Sequence, residues 1–190
     1  MSVSEPQLRD EILAALDRVR NDDLQFWANL APDRFVAPFR EAWSPADNLR
    51  HLIKSTKPVA RALSLPTTTL QEMFGTAENP SVTYRALRER YRARLEGGVD
   101  AGEFAPSAVE VPSDRTAWQR ELVGQCRDAI IELASVVARW DEDDLDRYRL
   151  PHPLLGELTV REMLMFTLYH YDHHRENVAR RIGLSTGPDH

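Results

Sequence analysis

Apolar residues recur at three- and four-residue spacing along most of the chain, the signature of helices with one buried face. From about Pro6 to about Asn29, Leu8, Ile12, Ala15, Leu16, Val19 and Phe26 predict a first helix. At Trp43-Ser44-Pro45-Ala46-Asp47 the pattern restarts. Ser44 suits the cap, Pro45 the first helical position, and Asp47 closes a capping box. The helix that follows turns Leu49, Leu52, Ile53, Thr56 and Val59 inward. Pro58 lacks the amide that would bond Lys54, so a kink is expected there.

Leu65 to Pro80 has little regular pattern and reads as a connection. About Val82 to Leu95 is a shorter helix ending at Gly97-Gly98, followed by a loop to Pro112. From about Asp114 to Trp140 runs a long helix, capped by Ser113, with Leu122, Cys126, Ala129, Ile130, Leu133, Val136 and Val137 on its inner stripe. Asp141 to Leu158 is a polar, then proline-bounded link. Thr159 and Glu162 form a second capping box, opening a last helix that reaches about Ile182, with 183–190 as a loose tail. No period-2 alternation of β-branched residues predicts a strand. The expected fold is all-α: one domain over 1–190, an up-and-down four-helix bundle with one additional shorter helix between the second and third bundle helices.

With 42% apolar and 28% charged residues, the chain has the composition of a globular protein. Its 24 basic and 30 acidic residues leave a net charge of -6, so no positive field exists to hold nucleic acid. No apolar run is long enough to span a membrane. Met1 to Asp10 is polar without a signal-like core. The lone Cys126 forbids an internal disulfide and reads as a small core residue, and a cytoplasmic location is expected. The expected partner is a small-molecule substrate, and a helix face could support a homodimer. Trp27, Trp118 and Trp140 read as core aromatics and Trp43 as packing at the start of its helix.

The chemistry concentrates in the last helix. A turn of roughly 100° per residue puts Met163, Phe166, Thr167, His170, His174 and Val178 on one inward arc, with Asp172, Arg175, Glu176 and Arg180 on a solvated opposite side. Two imidazoles side by side in an apolar stripe each need a partner and would repel if both were protonated. A shared cation removes both problems, because Cβ atoms at i and i+4 lie about 5–6 Å apart. A third ligand is then needed. Either His51, at the edge of an uncharged arc, or His152, in the proline-bounded link, could supply it.

Trp43-Ser44-Pro45-Ala46-Asp47-Asn48-Leu49-Arg50-His51-Leu52 resembles a segment of the DinB family, or DinB/YfiT-like superfamily, in which a capped helix carries a ligand histidine before a leucine. The stretch His152-Pro153-Leu154-Leu155-Gly156-Glu157-Leu158-Thr159, continuing to Tyr169-His170-Tyr171-Asp172-His173-His174-Arg175-Glu176-Asn177, resembles the family's closing helix. The region from Leu65 to Pro112 has no recognisable counterpart. The resemblance implies a four-helix bundle and a metal triad of His51, His170 and His174.

Three neutral imidazoles would leave a divalent ion its full charge and an open position, as in catalytic zinc sites. Zinc or nickel suits such donors. A zincin-like protease is disfavoured, since Tyr171 stands where that motif needs Glu. Family resemblance implies chemistry with a low-molecular-weight thiol such as mycothiol, bacillithiol or glutathione. Arg85, Arg88 and Arg92 form a stripe that could meet the carboxylates of such a cofactor. The expected function is therefore a metal-dependent thiol S-transferase, with a metal-dependent hydrolase or a non-catalytic metal-binding stress-response protein as the alternatives.

Overall fold

The computed structural model describes residues 5–40, 42–98 and 102–183; most of the tail expected over 183–190 lies outside them. Its first helical run has three parts: α1 (Arg9–Arg18), a wider π-type turn (Val19–Asp23) and α2 (Leu24–Ala28). Ile12, Leu16, Leu24 and Trp27 point into the core, but Leu8, placed on the same stripe by its spacing, is exposed. A short α3 (Pro32–Val36) buries Phe35. Next comes α4 (Pro45–Leu63), where Ser44 Oγ accepts from the Asp47 amide at 3.1 Å and Asp47 accepts from the Ser44 amide at 3.3 Å. The helix continues through Pro58.

Two helices, not one, separate the second and third bundle helices: α5 (Thr67–Phe74) and α6 (Tyr84–Glu96). The third bundle helix, α7 (Arg115–Val137), is capped by Asp114 rather than Ser113, its carboxylate accepting from the Ala117 amide at 2.9 Å. Both residue types favour that position, so spacing alone could not separate them.

The link before the last helix is ordered, contrary to the expectation that helices exhaust the regular structure. A short α8 (Asp144–Arg147) leads into an antiparallel hairpin, β1 (Arg149–His152) and β2 (Gly156–Thr159). Gly156 sits at φ 76°, the left-handed backbone that closes the turn. Pro151 is tolerated because each strand of a two-stranded ribbon has a free edge. The hairpin delivers the chain to α9 (Val160–Arg181), with Thr159 and Glu162 forming the second capping box.

The architecture is a four-helix bundle of the α1–α2 run, α4, α7 and α9. Contacts join α1 to α7, α7 to α4, α4 to α9, and α9 back to α1. Helices α7 and α9 therefore stand across the core from one another, where Cys126 Sγ meets Tyr171 OH at 3.5 Å. From Val160 to Leu168, α9 is buried on every side rather than along one arc. Helix α6 packs outside the bundle against α9. No described helix is long and apolar enough to cross a membrane.

Candidate metal centre

His51 from α4 and His170 and His174 from α9 meet inside the protein, with 5%, 5% and 8% of their surfaces exposed. His170 Nε2 lies 3.0 Å from Nε2 of His51 and 3.0 Å from Nε2 of His174. One ring nitrogen from each falls within 4.8 Å of the others. Of the two third-ligand candidates, the structure brings His51 into this group and leaves His152 out.

The hydrogen bonds behind the rings decide what the inner nitrogens present. His51 Nδ1–H donates to the Phe104 carbonyl at 2.8 Å. His174 Nδ1–H donates to Asn48 Oδ1 at 2.7 Å, and the Asn48 amide is itself oriented by donating to the carbonyls of Trp43 and Ser44. Both rings thus carry their proton on Nδ1 and turn an Nε2 lone pair inward. His170 can offer one Nε2 proton to only one of them. One of the two lone pairs is therefore left unsatisfied within the triad, whereas a cation satisfies the inner nitrogens of all three rings. The donor set fits a divalent metal site of the three-histidine kind.

Burial pushes all three imidazoles below their ordinary range. For His170 and His174, the charge that neighbouring histidines would carry adds to it. For His51, the bond to Phe104 works against burial and the Lys54 charge works with it. All three are neutral at neutral pH, the form a metal needs. Trp43 lies over the centre: its ring is 5.1 Å from that of His51, and parallel within 8° to that of His174 at 6.3 Å. Its role is larger than packing the start of α4.

The triad opens on a cavity of about 1020 Å³ between α4, α6, α9, the hairpin and a 3₁₀ turn (Gly102–Phe104). Val59, Ala62, Phe74, Leu95, Leu150 and Met163 are among its apolar walls. Glu103, exposed, is the only acidic residue lining it among the described residues, and neither Lys nor Arg does so. The stripe on α6 lies elsewhere: Arg85 is exposed and paired with Glu89 at 3.3 Å, Arg92 is exposed, and Arg88 is half-buried; none lines the cavity.

A match to the family model of the DinB superfamily runs over residues 15–178. The chain belongs to the DinB superfamily. Two solved structures share the fold of this DinB chain. TT2238, described as a four-helix bundle protein, is 21% identical, with 90% of this chain and 98% of that one covered at a TM-score of 0.55. YfiT from Bacillus subtilis, described as a probable metal-dependent hydrolase with an unusual four-helix bundle topology, is 15% identical, with 93% and 89% covered at a TM-score of 0.55. No functionally curated protein matches the sequence.

Two parts of the DinB centre escaped sequence reasoning. Asn48 stands three residues before His51 on the same helix, and a buried amide at that spacing was a usable signal. The Phe104 carbonyl left none, because it comes from backbone in an irregular segment. Asp172 is also not the solvated residue its helical position suggests. Burial, and then the charge of Asp23, push its carboxyl up to about 6, while Arg175 lies 3.8 Å away and opposes the shift.

Proposed function

We propose that this protein is a metal-dependent enzyme acting on an apolar small molecule, and that its cosubstrate is a low-molecular-weight thiol. The carrying observation is the convergence of three neutral imidazoles on one wall of a large apolar cavity. A divalent ion on this donor set, zinc or nickel by ligand type, would supply Lewis-acid chemistry, lowering the pKa of a thiol or water that ligates it. Asn48 and Phe104 hold two of the rings in the required tautomer. Trp43 and Phe166 pack against the rings and exclude solvent from their faces.

Proton supply favours a substrate that carries a good leaving group. Expelling an alcohol or amine calls for an acid, and the remaining cavity imidazoles, His152 and His173, are each pushed down to about 4 by burial. They are neutral at neutral pH. Transfer of sulfur to a carbon bearing a good leaving group needs no such acid. The cavity has no basic side chain for a cofactor's carboxylates, so a thiol would rely on neutral polar contacts rather than on Arg85, Arg88 and Arg92. The description of YfiT favours the second reading, hydrolysis.

The test is turnover of 1-chloro-2,4-dinitrobenzene with mycothiol, bacillithiol or glutathione, beside phenyl ester hydrolysis in water alone, each with zinc- and nickel-loaded protein. Thiol-dependent chloride release that disappears in His170→Ala supports the proposal. Metal-dependent ester turnover without thiol replaces it with hydrolysis. Background rates in both leave a non-catalytic metal protein.

A further inference from the structure

His152 lies outside the three-histidine group, yet it faces the same cavity from β1. Its Nδ1 accepts two backbone amides, those of Leu154 and Leu155, at 3.1 Å each. A nitrogen that accepts carries a lone pair, so the neutral ring must hold its proton on Nε2. Among the described residues no partner for that Nε2–H occurs. The hairpin turn thus fixes a hydrogen-bond donor among mostly apolar side chains, with Tyr91 and His173 as polar neighbours in the lining. Burial pushes the imidazole down to about 4, so it remains a neutral donor across the physiological range.

Its position links it to the metal centre. The His152 ring lies edge-on to Phe166 at 4.2 Å, and Phe166 stacks on His170 at 5.1 Å. Tyr91 stands edge-on to both imidazoles, at 6.5 Å from His152 and 6.3 Å from His170. A molecule resting on these aromatic rings would therefore present one end to the three histidines and an edge to His152.

We propose that His152 orients the substrate by donating its Nε2–H to an acceptor oxygen, such as a carbonyl, on a neutral molecule whose apolar body fills the cavity. This rests on the reading of the cavity as the substrate site. It narrows the substrate class: a neutral imidazole donor in mostly apolar walls selects a ketone, ester or enone over a plain hydrocarbon of the same shape.

The test compares benzophenone with diphenylmethane, which has the same two rings and lacks the oxygen, by quenching of tryptophan fluorescence in protein of matched metal content. Wild type should bind the ketone about fivefold more tightly, the size of one neutral hydrogen bond. His152→Phe should erase that preference while diphenylmethane binds as before, and His152→Gln, which keeps a donor, should restore part of it. Nitrogen NMR of the wild type should show the proton on Nε2. A preference that survives in His152→Phe, an equal loss of both ligands, or a proton on Nδ1 overturns the proposal. If neither ligand binds wild type, the cavity reading falls with it, whereas loss of the metal alone leaves the ketone preference to be read.

Discussion

Asn48 Oδ1 accepts the Nδ1–H of His174 at 2.7 Å, from a carboxamide whose amino group is tied to two carbonyls at the start of its own helix. The capping turn of α4 therefore sets the direction in which a ring on α9 presents its other nitrogen. Asn48→Ala removes that support and leaves the His174 ring free to change tautomer. Metal affinity should fall by about 10- to 100-fold with the fold intact, measured by competition with a chromophoric chelator. Unchanged affinity would mean that helix packing alone orients the ring.

The same caps explain how much was legible beforehand. Ser44 with Asp47, and Thr159 with Glu162, announce two helix starts by residue type and spacing, and both boxes form. The i, i+4 pair His170 and His174 was visible for the same reason: regular periodicity carries position into geometry. What was not legible lacks that regularity. Helix α5 buries only Leu70, too little for a stripe. The hairpin strands are four residues each and interrupted by Pro151, so no alternation develops. Whether His51 or His152 joined the pair depended on how α4 docks on α9, which the local sequence of neither helix contains.

Stability at acid pH should report His152. Its folded value, about 4, lies below the ordinary 6.5, so the unfolded chain binds more protons between these values. The contribution is present above about 6.5 and is lost as pH falls toward about 4. Measured by thermal unfolding of metal-free protein, the advantage of wild type over His152→Gln should narrow as pH drops through that window. A constant difference would contradict the burial of this imidazole.

Cys126 should be inert. Burial pushes its thiol up to about 12, against a smaller opposing effect of the bond from Tyr171. Ellman's reagent should leave it unmodified in the native protein and react after unfolding, and Cys126→Ala should retain turnover. Any sulfur nucleophile then comes from a bound thiol. Fast labelling of the native chain, or loss of turnover in the variant at unchanged stability, would point to the protein's own cysteine instead.

Gly75 ends α5 at φ 76° and ψ -167°, and a Cβ there would lie 2.7 Å from a guanidinium nitrogen of Arg149 on β1. That backbone region is essentially restricted to glycine. Gly75→Ala should cost about 1–3 kcal/mol of stability by chemical denaturation. A change within a few tenths of that unit would show that the turn can relax.

The central claim is that imidazoles from two helices hold a single ion, and elemental analysis of untagged protein tests it most directly. Wild type should carry one divalent transition-metal ion per chain, and His51→Ala and His170→Ala should each lose it while remaining helical. Metal-free wild type that fails to take up zinc or nickel, or full occupancy in both variants, would contradict the account.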